Sequence, residues 1–350
     1  MQQPTYDEQI TMKNEMKLRE LCAGLPAFCK EFFRGIEPTT SSRTRIAYAY
    51  ELKIFFHFLQ EKYPDIEESD LKNWPVTVLD KVTLTQLEEY LDYLRLYEDA
   101  ENKVHTNEER GRMRKTASIR TFYKFFYRKQ GIKNNTASLL NLPKKHEHTI
   151  VRLEIDEIAK LLDAVEEGDN LTKSQKKYHN KTKIRDLAIL TLLLGTGIRV
   201  SECVGIDISN LDFETNGMKI HRKGGADVIL YFGEEVREAL LDYLEEREKI
   251  IPKEGSENAL FLSMQKRRIS VRAVENLVKK YARPVTPLKT ITPHKLRSTY
   301  GTQLYQETGD IYLVADVLGH KDVNTTRKHY AAMEDQRRRM AAGKIQLREK

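Results

Sequence analysis

Residues 184–206 read IRDLAILTLLLGTGIRVSECVGI, and the architecture of the second half of the chain follows from them. The strongly apolar first half predicts a buried helix that ends at Gly195 and Gly197. Arg199 follows this turn, and Glu202 comes three residues later, within reach on one helical face. Such a pair is usually a surface salt bridge. It is also the means by which a carboxylate orients a guanidinium for bidentate phosphate binding.

A β signal separates this stretch from further helices. Residues 211–232, LDFETNGMKIHRKGGADVILYF, contain the turn dipeptides Asn216-Gly217 and Gly224-Gly225. They predict three short antiparallel strands, at 211–213, 218–221 and 227–231. A polar basic loop is expected at 168–182, and amphipathic helices are expected at 153–167, 234–251 and 270–284. The predicted class is mainly α with one small antiparallel β-sheet.

The first third of the chain is helical in pattern. Apolar residues recur at helical spacing in three segments, 43–63, 84–98 and 111–131, and the first follows the N-cap run Thr39-Thr40-Ser41-Ser42. Changes in composition divide the chain into five parts: an N-terminal extension at 1–38, a helical domain at 39–133, a linker at 134–151, a second domain at 152–335 and a basic tail at 336–350.

Composition limits the classes of protein to which the chain can belong. Its 350 residues include 59 Lys and Arg against 52 Asp and Glu, which gives a net charge of +7, and 40% are hydrophobic. No run approaches the roughly 18 apolar residues of a membrane span, and the first residues carry no apolar signal-peptide core. We therefore expect a cytoplasmic protein with no membrane association. Three cysteines without paired spacing disfavour a disulfide framework or a zinc site.

The helix predicted at 111–131 is basic over its exposed face. Alternating charges over an aromatic core usually mark a solvated surface. A phosphate backbone explains the pattern equally well, because like charges repel unless an anion neutralises them. The candidate DNA-binding residues are Lys115, Arg120 and Lys124 on this helix and Arg43 at the start of the helix predicted at 43–63.

Three further segments carry residues of catalytic type. Lys223 stands at the tip of the predicted hairpin, where a lysine is either a solubilising residue or a mobile cation for a phosphate. His294 and Arg297 lie three apart on a helix that should start at Thr292-Pro293, near an N-terminus that favours anions. His320 follows Gly319, and Tyr330 comes ten residues later. Each of these residues alone has an ordinary structural explanation.

Together these segments resemble a known family. TGIRVSE, RKGG, HKLR and LGHKDVNTTRKHY, in this order, are similar to the motifs of the tyrosine recombinase (phage integrase) family, and the architecture looks Xer-like. The resemblance implies a helical, SAM-like core-binding domain followed by a catalytic domain of the DNA breaking-rejoining fold. Together they would close as a C-shaped clamp on duplex DNA.

The resemblance also implies a reaction and its residues. A tyrosine would attack the DNA phosphate and form a 3′-phosphotyrosine link, with no ATP, metal or other cofactor. The residues that match the activating positions are Arg199, Lys223, His294, Arg297 and His320, the match to the nucleophile is Tyr330, and Glu202 would support Arg199. The implied partners are double-stranded DNA with an inverted-repeat target site and three further copies of the chain, which make a homotetramer on synapsed DNA.

Two rival functions fit the same residues. A type IB topoisomerase would use the same tyrosyl intermediate to relax DNA without a defined site. A DNA-binding module could have kept the fold and lost the reaction, although a complete set of catalytic residue types argues against it. The motifs do not distinguish chromosome-dimer resolution from integration and excision of a mobile element. The basic tail would either pack on a neighbouring subunit or fray in solvent.

Overall fold

The computed structural model describes residues 5–99, 102–141, 151–222, 225–320 and 322–323. The chain divides into two units, Met1–His148 and Thr149–Lys350. Within the described ranges, none of the helices combines the length and the apolar character needed to cross a lipid bilayer. The fold is mainly α with a small antiparallel sheet in the second unit, as the sequence predicts, and a two-stranded ribbon in the first unit that it does not predict.

The N-terminal unit is built from helices and one two-stranded antiparallel ribbon. Its described elements are α1 (Tyr6–Cys22), α2 (Cys29–Ile36), α3 (Ser42–Lys62), α4 (Val78–Lys81), α5 (Leu84–Tyr93), β1 (Leu96–Glu98), β2 (Val104–Thr106) and α6 (Glu109–Arg128). Helix α3 begins at Ser42, the last residue of the predicted capping run, and Ser41 is its N-cap. The hydroxyl of Ser41 accepts a hydrogen bond from the backbone N–H of Thr44 at 3.3 Å.

The β1–β2 ribbon departs from the sequence prediction, which continues the helix of α5 through residue 98. The helix ends at Tyr93, and β1 pairs with β2 in a register that sets Tyr97 opposite His105. The side-chain amide of Asn107 donates to the carbonyl of Leu94 at 2.8 Å, which satisfies a group at the end of the helix. The ring of Tyr97 stacks on His105 with centroids 5.2 Å apart. These contacts across the ribbon outweigh the local helical pattern.

An aromatic core holds the N-terminal unit together. The ring of Phe32 meets that of Phe122 edge to face, with centroids 4.9 Å apart. Phe32 lies on α2 and Phe122 on α6, and Leu18 of α1 is buried in the same cluster. Residues 5–38, which the sequence sets apart as an extension, therefore contribute helices and side chains to this core.

A buried carboxylate lies under the exposed side of α6. Glu51 of α3 is 1% exposed, and its carboxylate meets the guanidinium of Arg114 at 2.7 Å. Burial raises the pKa of Glu51, because removal from water penalises the ionised form more than Arg114 stabilises it. The guanidinium of Arg114 stays largely in solvent, where water can replace the carboxylate.

The second unit contains seven described helices and a three-stranded sheet. Its elements are α7 (Ile155–Glu167), α8 (Lys173–Thr196), α9 (Val200–Gly205), β3 (Leu211–Asp212), β4 (Gly217–His221), β5 (Asp227–Tyr231), α10 (Glu234–Glu248), α11 (Val271–Val285), α12 (Pro293–Thr308) and α13 (Ile311–Leu318). The predicted basic loop at 168–182 is wrong beyond Thr172. Thr172 and Gln175 form a capping box that starts α8 at Lys173.

The sheet confirms the three predicted strands to within about one residue. Its order is β3-β4-β5, all antiparallel, and Lys219 stands opposite Ile229. Met218 and Ile220 are buried under the sheet, whereas Lys219 and His221 point to solvent. The end of β4, one residue before Arg222 in the sequence, therefore reaches the surface.

Helix α8 is the centre of the second unit. It contacts α7, α10 and α12, and nearly every residue from Ala188 to Thr196 is buried. Gly197 ends the helix in the left-handed region, with φ at +62°. A Cβ atom at this position would lie 2.4 Å from the ring of Tyr300 and 3.0 Å from Leu318. Glycine is therefore required both by the backbone and by the close approach of α12 and α13.

The Glu51→Gln variant should stabilise the N-terminal unit at neutral pH. A raised pKa in the folded state means that the stability contributed by Glu51 is complete below its unfolded pKa and falls as pH rises through the folded pKa. The glutamine resembles the protonated acid. The free energy of unfolding of the variant should therefore exceed that of the wild type at about pH 7, and the difference should disappear below about pH 4. Urea titrations followed by the fluorescence of buried Trp74 measure this unit directly.

The Glu67→Gln variant is the matched control for that experiment. Hydrogen bonding to Lys81 lowers the pKa of Glu67, so loss of this carboxylate should slightly destabilise the unit at neutral pH. Opposite signs for the two variants at about pH 7 are expected. A Glu51→Gln variant that is less stable than the wild type at that pH would contradict the argument.

The Gly197→Ala variant should destabilise the second unit by more than backbone strain alone. Gly255 has φ at +77° and open space where a Cβ would lie. The Gly255→Ala variant therefore measures the cost of a left-handed backbone alone, which is about 1–2 kcal/mol of unfolding free energy. At Gly197 the methyl group must also displace Tyr300, which adds about 1–3 kcal/mol. Chemical denaturation followed by far-ultraviolet circular dichroism compares the two variants. An equal decrease in the free energy of unfolding for the two variants would contradict the close packing of Gly197 against Tyr300.

Candidate active site

The turn after α8 places Arg199 and Glu202. Ile198 is buried, and Arg199 is the N-cap of α9 in extended conformation. The carboxylate of Glu202 accepts hydrogen bonds from the backbone N–H of Arg199 at 2.7 Å and from its Nη1 at 2.8 Å. The side chain of Glu202 is 5% exposed and that of Arg199 is 33% exposed. The predicted pair is thus present, with the carboxylate inside and the guanidinium at the surface.

The other side of the Arg199 guanidinium contacts the end of α13. Its Nη2 donates to the carbonyl oxygen of Gly319 at 3.0 Å. Gly319 ends α13 in the left-handed region, with φ at +61°, and the backbone N–H of His320 donates to the carbonyl of Ala315 at 2.9 Å. Arg199 and the half-buried His320 therefore adjoin the same helix end.

Arg297 joins two helix ends from inside the unit. It lies on α12, is 5% exposed, and donates through Nη1 to the carbonyl of Gly197 at 2.6 Å. Its Nη2 donates to the carbonyl of Leu318. These carbonyls lie at the C-terminal ends of α8 and α13, where helix carbonyls have no intrahelical N–H partner. One guanidinium therefore supplies hydrogen-bond donors to both helix ends.

His294 lies one turn before Arg297 on α12. Pro293 occupies the first turn, as predicted, and His294 is exposed. The spacing of three puts the two side chains on neighbouring positions of one helix face. The structure therefore brings Arg199, Arg297 and His320 together at the end of α13 and sets His294 on the helix that carries Arg297.

Arg222, the first residue of the RKGG segment, is not among the predicted catalytic residues, and the structure places its side chain at the same helix end. Its Nη1 donates to the carbonyl of Asp316 at 2.9 Å, and its Nη2 donates to the carbonyl of Val317 at 2.6 Å. It precedes Lys223 in the sequence, so its position next to a motif residue was the signal available. Its binding partners are backbone atoms, which no residue pattern marks.

Three guanidinium groups thus cluster at one helix C-terminus. The negative end of the helix dipole and the carboxylate of Glu202 offset part of their charge. Guanidinium donors at such a cluster suit an anion with several oxygens, such as a phosphodiester. In the part of the chain that the structure describes, no three His, Cys, Asp or Glu side chains come together as metal ligands.

Two predicted catalytic residues, Lys223 and Tyr330, lie outside the described residues. So do residues 142–150 of the predicted linker and the basic tail at 336–350. These assignments remain predictions.

The predicted DNA-binding residues divide into two groups. Arg43 and Lys124 are exposed, and Arg120 is half-buried. Lys115 is a correction, because its side chain is 6% exposed and its Nζ donates to Asn107 Oδ1 at 2.7 Å.

The position of Lys115 on α6 explains that correction. It shares a helix face with the core residues Ile119, Phe122 and Phe126, at spacings of four, seven and eleven. Burial lowers the pKa of its ammonium group, and Arg114 lowers it further. Lys115 therefore supports the interior of the N-terminal unit and does not extend the basic surface.

Known proteins resemble this chain over most of its length. The model of the phage integrase family matches residues 151–337. The tyrosine recombinase XerC of Caldanaerobacter subterraneus is 33% identical over 318 residues, which are 88% of this chain and 82% of that protein. XerC of Leptospira interrogans is 29% identical over 300 residues, which are 86% of each protein.

Solved structures share the fold. XerH site-specific recombinase bound to difH substrate aligns with a TM-score of 0.60 at 19% identity, over 85% of this chain and 80% of that one. A lambda integrase dimer bound to a COC′ core site aligns with a TM-score of 0.60 at 16% identity, over 86% of this chain and 93% of that one. With the family match and the Xer relatives, these observations identify the chain as a member of the phage integrase family, a tyrosine recombinase that exchanges DNA strands.

Proposed function

We propose that the chain is a site-specific recombinase that cuts and rejoins double-stranded DNA through a 3′-phosphotyrosine intermediate. The observation that carries the proposal is the convergence of Arg199 and Arg297 on the last carbonyls of α13, beside His320. These are the residues that match the family's activating positions. Lys223, His294 and Tyr330 complete the proposed active site.

The two arginines would activate the phosphate. A phosphodiester is an anion that repels a nucleophile, and the transition state gathers further charge on its two non-bridging oxygens. Arg199 and Arg297 would each donate to one of these oxygens through guanidinium N–H groups at the edge of the cluster. Because Glu202 and the helix carbonyls already orient both groups, little reorganisation is needed when DNA arrives.

The protons then have defined routes. The oxygen of Tyr330 forms a bond to phosphorus, and its proton passes to His294 as general base. The bond from phosphorus to the 5′-oxygen breaks, and that oxygen takes a proton from Lys223. His320 would hydrogen-bond the phosphate throughout. Attack by another strand's 5′-hydroxyl reverses these steps, so the phosphotyrosine bond conserves the energy needed for ligation and no cofactor is required.

The environments of two other tyrosines near the site support Tyr330 as nucleophile. Tyr300 packs against Gly197, and burial raises the pKa of its phenol, which disfavours the phenolate. Tyr305 is 5% exposed in the cluster between α12 and α13. Both side chains therefore fit packing roles.

The N-terminal unit would contribute contacts to the DNA backbone. Arg43, Arg120 and Lys124 retain exposure that allows phosphate binding. The target would be an inverted repeat bound by two copies of the chain, with four copies in the synapse. Solved relatives provide support, since one lambda integrase structure is a tetramer bound to a Holliday junction.

Mapping of covalent adducts in cells tests this function. The wild type, Tyr330→Phe and Tyr312→Phe variants are expressed, denatured and recovered with any DNA attached, and the DNA ends are sequenced. Tyr312 is 72% exposed on α13, so its variant controls for loss of a phenol in the same unit. The wild type and Tyr312→Phe should give adducts at paired, inverted sites, and Tyr330→Phe should give none, because phenylalanine has no nucleophilic oxygen.

The other outcomes separate the rival functions. Adducts scattered over the genome would indicate a topoisomerase and contradict site-specific recombination. Wild-type protein that binds DNA without adducts would indicate a binding module. Adducts that persist in Tyr330→Phe would show that another residue is the nucleophile.

A further inference from the structure

The first half of α8 carries a concentration of lysines. Residues 173–185 contain six Lys and Arg and no Asp or Glu. Five lysines of this stretch, four exposed and the last half-buried, form what we call the lysine face of α8: Lys173, Lys176, Lys177, Lys181 and Lys183. At 100° per residue they span about 160° of the circumference, opposite the buried side chains of His179, Thr182 and Asp186.

The charge of the lysine face opposes the stability of the helix. Cations are unfavourable at a helix N-terminus, where the dipole is positive. Like charges four residues apart also repel, and Lys177 is four residues from both Lys173 and Lys181. The first turns of α7 and α10 each hold two acidic residues, whereas the first turn of α8 holds none. Helix stability therefore does not explain this run of lysines.

Ion pairing within the protein does not explain the run either. Across the described ranges of the chain, none of the five lysines forms an ion pair with a carboxylate. Lysines on neighbouring helices do form such pairs. Lys160 of α7 meets Asp156 at 3.1 Å, and Lys289 after α11 meets Glu157 at 2.6 Å. The positive charge of the lysine face therefore remains available to an anion from outside.

The lysine face lies far from the active-site end of the same helix. Lys177 precedes Thr196 by 19 residues, which is about 28 Å of helix axis. Arg297 binds the carbonyl of Gly197 at that far end. Between the two ends, nearly every residue from Ala188 to Thr196 is buried under neighbouring elements. Because duplex DNA resists sharp bending, the segment held at the active site would not also wrap onto the lysine face.

The residue type indicates which kind of anion the face suits. Protein interfaces are depleted in lysine and enriched in aromatic residues, Met and Arg. A nucleic-acid backbone instead binds lysine well, because each neutralised phosphate releases counterions. A face of five lysines without an arginine therefore favours the phosphates of DNA over an acidic protein.

We propose that the lysine face of α8 is a second DNA site, which binds the phosphate backbone of duplex DNA outside the segment held at the active site. This inference rests on the proposed function, in which the chain acts on duplex DNA. The bound phosphates would belong either to the flanks of the same target duplex or to a second duplex. Lysine contacts to phosphates carry no sequence information, so the site would add affinity without base preference.

Salt-dependent binding to two target duplexes tests the proposal. One duplex ends at the recombination site, and the other is extended at both ends with random sequence. The variant combines Lys173→Gln, Lys177→Gln and Lys181→Gln. If it loses three phosphate contacts on the extended duplex, its log–log salt slope should be shallower by about 2.7, or roughly 40-fold less affinity lost between 50 and 200 mM salt. On the short duplex it should bind within about 3-fold of the wild type and form covalent adducts equally well.

A capture assay distinguishes the two sources of phosphate. The short duplex is immobilised with bound protein, and a labelled random duplex is added in solution. Wild-type retention of the labelled duplex, lost in the lysine variant, would assign the face to a second duplex. A change confined to the extended duplex would assign it to the flanks. Either result supports the second DNA site.

A matched control removes the same charge elsewhere in the unit. It combines Lys160→Gln, Lys249→Gln and Lys253→Gln, all at exposed positions away from α8. This control should keep the wild-type salt slope on the extended duplex and the wild-type capture of the second duplex. The α8 variant should also unfold about 1–3 °C higher than the wild type, because lysine repulsion is relieved. Weaker DNA binding by a more stable protein excludes a merely structural role.

Four results would overturn the inference. An α8 variant that matches the control on the extended duplex and in capture would show that the face binds no DNA. An equal loss on the short duplex would place the face within the segment held at the active site. Retention of an acidic protein, but of no DNA, would assign the face to a different partner. A wild type that forms no adduct with the short duplex would contradict the proposed function, and the second site would fall with it.

Discussion

Four successive backbone carbonyls at the end of α13 hold three arginines of the second unit in place. Arg222 binds the carbonyls of Asp316 and Val317, Arg297 binds the next one, and Arg199 binds that of Gly319. The last carbonyls of a helix are short of intrahelical donors, and the helix dipole makes this end attractive to cations. One local requirement of the backbone therefore gathers three guanidinium groups from distant parts of the sequence.

Two left-handed glycines make this arrangement sterically possible. Gly197 lets α12 approach the end of α8 so that Arg297 reaches its carbonyl, and Gly319 leaves room for the guanidinium of Arg222. The arrangement concentrates three guanidinium groups at one helix end, where carbonyl dipoles and the Glu202 carboxylate face them. A bound phosphodiester would be attracted to the same place, so the constraint that organises the fold also suits an anionic substrate.

Sequence patterns predicted the parts of the site that depend on neighbouring residues. Arg199 and Glu202 lie in one helical turn, so their spacing alone predicted the contact seen at 2.8 Å. Arg222 was missed because its partners are backbone carbonyls far along the chain. Lys115 was misplaced because residue type was given more weight than helix position. Its spacing of four from buried Ile119 could have shown that it faces the core.

A crystal structure of the Tyr330→Phe variant bound to its target duplex tests the central claim most directly. The account predicts that Arg199 and Arg297 each donate to a non-bridging oxygen of one phosphate at the end of α13, and that Arg222 keeps its contacts to the carbonyls of Asp316 and Val317. A phosphate bound elsewhere on the chain, or guanidinium groups dispersed from this helix end, would contradict it.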